Sequence, residues 1–127
     1  SASIPATSRH TNSCILFLTG HNTNGEMPDD LNWNAISKIP VVIMYMAIKH
    51  LPVIAERLIK EGRSVEDPIA VIQDATLKTE RVLESNLMNI NNDIEKNHIK
   101  APAIVVLGPV VGLRSKLIKN VIKDAIN

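Results

Sequence analysis

The sequence predicts an α/β fold with a mixed, largely parallel sheet flanked by helices, and three observations carry that expectation. Val41-Val-Ile-Met-Tyr-Met46 is almost wholly apolar and runs directly into Leu51–Lys60, where apolar side chains recur at helical spacing. Three further runs, Cys14–Thr19, Ile69–Ile72 and Ala103–Leu107, are continuously apolar rather than alternating, as in strands covered on both faces. Helical and extended segments then alternate along the chain, the order that builds a sheet with helical crossovers.

Each element has a local reason. Residues 1–12 are polar and turn-rich around Pro5, and the Cys14–Thr19 run stops at Gly20-His21. Residues 22–30 form a loop by composition, and Asp29 or Asp30 is placed to cap a short helix over Leu31–Ser37, with Trp33 and Ile36 facing inward. Pro40 ends that helix and the Val41 strand follows. In Leu51–Lys60, Leu51, Ile54, Ala55, Leu58 and Ile59 form a single apolar stripe. Pro52 lies in the first turn, where a missing N–H costs little, and Gly62 lies where a C′ glycine belongs.

Asp67-Pro68 opens the Ile69–Ile72 strand, and residues 73–80 are a polar loop with Ala75 at its turn. Arg81–Glu84 has the polar ends of an edge strand. Asn86 is placed to cap a helix bearing Leu87, Ile90 and Ile94. Ala101-Pro102 leads into Ala103–Leu107, and beyond Gly108-Pro109 a last amphipathic helix is expected, with Leu113, Leu117, Val121 and Ala125 in line.

Composition narrows the function classes. A length of 127 residues suits one compact domain. A net charge of +1 offers no electrostatic argument for nucleic acid or an anionic membrane. Phe17, Trp33 and Tyr45 are the only aromatics, too few for a stacking platform. The single cysteine, Cys14, permits neither an intrachain disulfide nor a zinc cluster, and no metal site is expected from His10, His21, His50 and His98. No apolar run reaches the length of a membrane span, and a soluble, cytoplasmic protein is expected. The opening Ser1–Arg9 has no initiator Met and reads as the middle of something longer.

In open α/β sheets ligands bind beyond the carboxyl ends of strands, so those ends are the candidate sites. Thr19-Gly20-His21, Tyr45-Met46-Ala47, Gln73-Asp74-Ala75-Thr76 and Gly108-Pro109 each put a small residue there, which lets a ligand approach the backbone. Strand-to-helix turns need small residues anyway, and spacing alone does not choose between the two. Met46 is suited to packing against a flat apolar ligand, although such a Met is more often core. His21 can move a proton near neutral pH, although a turn hydrogen bond is the commoner role. Asp74 with Thr76 suits either a polar ligand group or turn capping. Gly108–Gly112 is no phosphate loop, because it lacks the Gly-Lys-Ser/Thr ending. Arg9 and Arg81 are able to grip carboxylates in bidentate fashion. No nucleophile–base pair emerges, and the catalytic residues stay unassigned.

Taken in order, Ile4-Pro5-Ala6-Thr7-Ser8-Arg9, Phe17-Leu-Thr-Gly-His21, Asp30-Leu-Asn-Trp33, Ile43-Met-Tyr-Met46, Leu51-Pro52, Arg57-Leu-Ile59, Gly62-Arg63, Ala75-Thr76, Glu80-Arg81 and Pro102–Gly108 resemble the carboxyl-terminal half of the tetrapyrrole methylase family. The resemblance spans residues 3 to 114 and is closest to the branch acting on uroporphyrinogen III. It implies a two-lobed enzyme, usually a homodimer, that moves methyl groups from S-adenosylmethionine to ring carbons of uroporphyrinogen III, giving precorrin-2 for sirohaem and cobalamin-type products. It further implies that residues 1–127 are the carboxyl-terminal lobe and that the amino-terminal lobe, with its Gly-Pro-Gly-Asp-Pro loop, lies outside this chain.

By the same resemblance Tyr45, Met46, Ala47, Ala75 and Thr76 contact the methyl donor, and Thr7, Arg9 and Arg81 are candidates for substrate carboxylates. The sequence departs from the family pattern with Ser3 for Gly, Ser8 for His, Ala47 for Gly, Glu80 for Gln and Pro109 for Glu. Ala47 is expected to add a methyl beside the donor. A precorrin methylase acting later, or a non-catalytic dimerisation or binding domain, remain alternative readings of the same residues.

Overall fold

A computed structural model describes residues 14–20, 25–28, 30–75 and 77–109. In chain order these give β1 (Ile15–Thr19), α1 (Trp33–Ser37), β2 (Val41–Tyr45), a 3-10 turn (Ile48–His50), α2 (Leu51–Lys60), β3 (Pro68–Gln73), β4 (Arg81–Asn86), α3 (Ile90–Lys96) and β5 (Ala103–Leu107). The expected helix over residues 113–125 lies outside the described residues.

The strands form one five-stranded mixed sheet in the order β1-β2-β5-β3-β4. The class is the expected α/β, but the ladders are not largely parallel. Only β1–β2 is a parallel pair, while β2–β5, β5–β3 and β3–β4 are antiparallel. The helical crossovers nevertheless keep direction: β1, β2 and β3 all point one way, and β4 and β5 the other. Antiparallel ladders arise because β5 inserts between β2 and β3, and because residues 74–80 are too short a connection for a crossover, so β3 and β4 form a hairpin.

Alternation along the strands sorts the core into two layers. Val42, Met44, Ile69, Val71, Val105 and Leu107 face α1, α2 and α3, meeting Trp33, Ile36, Leu51, Ile54, Leu58, Leu87 and Ile90. On the other face Val41, Ile43, Ala70, Ile72 and Val106 form a second buried cluster made of strand residues, with Ile15, Tyr45, Ala75 and Ile104 at its margin. β4 is an edge strand, as its polar ends predict. Among the described strands β1 is the other end of the sheet rather than a fully buried strand, pairing only with β2 and leaving Phe17 44% exposed.

Helix ends follow local chemistry. Asn32, not Asp30, caps α1, its Oδ1 accepting the Ala35 N–H at 3.0 Å, and Asp29 lies outside the described residues. α2 closes as a Schellman motif: Arg63 N–H donates to Leu58 C=O, Gly62 N–H donates to Ile59 C=O, and Gly62 has φ +106°. α3 closes the same way through Ile99→Ile94 and His98→Glu95, with His98 in the left-handed position at φ 54°. Asn86 caps the turn ahead of α3 by accepting the Asn89 N–H at 2.8 Å. Among the described residues no helix is long and apolar enough to cross a membrane.

Candidate functional site

Strand direction decides which ends meet. β1, β2 and β3 deliver Gly20, Met46-Ala47 and Asp74-Ala75 to a single edge of the sheet, where the starts of β5 (Ala101-Pro102-Ala103) and β4 (Arg81) also lie. Since β5 separates β2 from β3, the Met46 and Ala75 corners stand two strand spacings apart, about 10 Å. The floor between them is small-residued: Ala101, Pro102 and Ala103. Gly108 does not belong to this edge. It ends β5, which runs the opposite way, and its N–H donates to Pro68 C=O at 2.9 Å.

The corners are built unusually. Met46 and Asp74 both have left-handed backbones, with φ of 53° and 52°. An unbranched apolar residue seldom adopts that conformation, and it persists where surrounding structure imposes it. At Met46 the constraint is visible: Gly20 N–H donates to Tyr45 C=O at 2.7 Å, and a Cβ on Gly20 would lie 2.4 Å from Ala47 Cα and 2.7 Å from the Met46 oxygen. Gly20 therefore lets β1 close against the β2 corner. Met46 is pushed outward and left 53% exposed. At the second corner Asp74 N–H donates to Pro102 C=O at 3.0 Å, Leu77 N–H donates to Asp74 C=O at 2.9 Å, and Thr79 Oγ1 donates to Asp74 Oδ2 at 3.1 Å. The Asp74 carboxylate is thus engaged in its own turn.

The remaining candidates separate. Tyr45 turns its ring to the face away from the helices, where it stacks on Phe17 with centroids 6.3 Å apart, and burial raises its phenol pKa. Ala47 is fully buried in the helix-side core, so its methyl packs inward rather than projecting beside the edge. Ala75 is half-buried and borders the second cluster. Arg81 is exposed beside Gln73, its pairing partner in β3. Thr7, Arg9, His21 and Thr76 lie outside the described residues. His50 is a structural tie, its Nε2 lying 3.0 Å from Gly25 C=O. A cleft of about 310 Å³ lined by Ile39, Pro40, Arg63, Asp67 and Pro109 opens at the opposite edge. There Arg63 is committed to Ile39 C=O, Pro40 C=O and Asp67. Among the described residues no cluster of His, Cys, Asp and Glu is arranged to hold a metal.

Residues 1–91 match the family of Tetrapyrrole (Corrin/Porphyrin) Methylases. The chain belongs to the tetrapyrrole methylases. It is 44% identical over 117 residues to a uroporphyrinogen-III C-methyltransferase of a Sinorhizobium species, a match covering 91% of this chain and 42% of that protein. It is 37% identical over 117 residues to an S-adenosyl-L-methionine-dependent uroporphyrinogen III methyltransferase of Methanosarcina barkeri, covering 91% of this chain and 46% of the relative. Its fold is similar to a Thermus thermophilus uroporphyrin-III C-methyltransferase solved with S-adenosylhomocysteine, at a TM-score of 0.75 and 23% identity, over 87% of this chain and 48% of that one. The chain thus spans less than half the length of these relatives.

Within a tetrapyrrole methylase the sequence signal for the edge is partly transparent. Small residues and a terminal Met mark it, whereas Gln73 carries no signal, because its Oε1 accepts from the Lys100 N–H, distant in sequence.

Proposed function

We propose that this chain is one lobe, the carboxyl-terminal one, of a methyltransferase that moves methyl groups from S-adenosylmethionine to uroporphyrinogen III, giving precorrin-2. The observation that carries the reading is the Met46 corner: an exposed apolar side chain on a left-handed backbone, on the same sheet edge as the Ala75 corner with the small-residued start of β5 between them. The ordered motif set and the names of the similar proteins support the donor and the acceptor.

The edge fits the donor. Its corners are apolar or small, its backbone is approachable at Ala75 and Pro102, and Met46 offers a soft, polarizable surface for a flat ring or a thioether. S-adenosylmethionine supplies an electrophilic methyl group on a sulfonium. The chain's contribution is positional: Met46 and Ala75 fix the lateral placement of the donor, each held at a left-handed corner of the same sheet edge. Arg81 lies at this edge, and its guanidinium has no ion-pair partner among the described residues. With Arg9 and Thr7 it is the candidate for substrate carboxylates. Tyr45 and Ala47 support the corner from behind, and Thr76, next in sequence to Ala75, is a further donor contact by the family resemblance. One wall buries a ligand poorly, so this lobe alone is expected to be inactive and to bind the donor weakly.

Exposed, unpaired Cys14 suits a reducing cytoplasm. The family resemblance supports a homodimer, which light scattering of the full-length enzyme will test. The activity itself is tested by joining these residues to their upstream sequence and following labelled methyl transfer. Methylated uroporphyrinogen III is the expected product. Turnover of diphthine or ribosomal RNA, with the tetrapyrrole untouched, contradicts the assignment, and turnover of a later precorrin moves it within the family.

A further inference from the structure

The Ala75 corner is fastened by the side chain of the residue that ends β3. Gln73, the last residue of β3, presents its Oε1 to the Lys100 N–H, which donates at 2.7 Å. The next residue repeats the tie in the other direction, Asp74 N–H donating to Pro102 C=O at 3.0 Å. Successive residues therefore bind both ends of the Lys100–Pro102 segment, which overlaps the Ala101–Ala103 floor between the Met46 and Ala75 corners. The main-chain bond holds one end of that segment whatever side chains are present. The other end, at Lys100, depends on the Gln73 amide. Asp74 itself adopts the left-handed backbone that aspartate tolerates in turns, so the Gln73 tie bears on the placement of the corner rather than on its conformation.

We infer that Gln73 is a positioning residue for the methyl donor, setting the separation of the Ala75 corner from the Met46 corner through the Lys100–Pro102 segment. The inference rests on the donor reading of this edge. The interaction requires only an acceptor at the end of a side chain of this length. Glu preserves it, and a negative charge there is tolerated beside Arg81, the cross-strand partner. Leu keeps an apolar stem and removes the acceptor.

The test uses the full-length enzyme carrying these residues, as wild type, Gln73→Leu and Gln73→Glu. It reads the S-adenosylhomocysteine Kd by calorimetry, KM for S-adenosylmethionine, kcat and the thermal midpoint. Loss of one hydrogen bond predicts that Gln73→Leu weakens S-adenosylhomocysteine and raises KM by roughly three- to tenfold with kcat nearly unchanged. Gln73→Glu should remain within about twofold of wild type on every reading. Tight binding by wild type and by Gln73→Leu alike overturns the inference and leaves the donor reading standing. So does a Gln73→Leu variant whose weaker binding is matched by an equal fall in kcat and a lowered midpoint, because a purely structural role produces that pattern. Wild type that binds no S-adenosylhomocysteine overturns the donor reading and this inference together.

Discussion

Met46 shows how a residue can be unfavourable for folding and, under the proposed function, useful for binding. Its φ of 53° is a conformation that glycine adopts freely, and at 53% exposure its side chain gains little from burial. Met46→Gly should therefore raise stability by about 0.5–1 kcal/mol while weakening S-adenosylhomocysteine binding by the full-length enzyme. Chemical denaturation and calorimetry on the same samples measure the two effects, and a variant that loses stability and keeps its affinity contradicts this view of the corner. Tyr45 offers a spectroscopic check on the neighbouring strand. It is the only tyrosine, so phenolate absorbance reports it alone. Burial raises its pKa, so its titration should fall above the ordinary value of about 10. Its contribution to stability should be intact below about pH 10 and lost as pH rises further, because the unfolded chain releases the proton first.

At the scale of elements, most of the structure follows from short-range rules, and the exceptions have local causes. The strands are legible as Ile, Val and Leu runs, and α2 is legible from its stripe, Pro52 and Gly62. The α1 cap was less so: Asp29, Asp30 and Asn32 are all competent caps, and only the residue directly before the first turn can reach the Ala35 N–H. His98 is invisible in the sequence, since histidine gives no sign that its backbone will be left-handed. His98→Gly should stabilise the chain by about 0.5–1 kcal/mol by relieving that conformation, a rise readable as a higher denaturation midpoint. Arg63 was also missed as a structural group. It follows the Gly62 cap directly, and its buried guanidinium donates to Ile39 C=O, Pro40 C=O and Asp67, joining the end of α2 to the entry of β2. Arg63→Leu leaves those acceptors without a donor and should cost about 2–3 kcal/mol by denaturant titration. A loss below about 0.5 kcal/mol would show that water replaces the clamp.

For the whole molecule, the sequence specifies strands better than it specifies their order. Insertion of β5 between β2 and β3 pairs residues some sixty and thirty positions apart, such as Val42 with Leu107 and Gln73 with Ala103, and no local pattern encodes that choice. It has a functional consequence. By entering antiparallel, β5 brings its starting segment, not its end, to the edge shared by β1, β2 and β3. Gly108 is thereby carried away from the candidate site, and Ala101-Pro102 is carried into it. That the Met46 and Ala75 corners are candidates is legible from the family resemblance and from small residues at strand ends, whereas their shared edge, its floor and the Gln73 tie require the sheet order.

The four methionines provide the most direct test that this edge receives the methyl donor. Met46 and Met88 are similarly exposed, at 53% and 62%, but Met88 follows β4 at the opposite edge of the sheet. In the full-length enzyme with labelled methionine methyl groups, assigned through Met46→Leu and Met88→Leu, titration with S-adenosylhomocysteine should shift the Met46 signal in step with calorimetric binding and leave Met88 in place. Saturable binding that leaves the Met46 signal unmoved would contradict the placement of the donor at this edge.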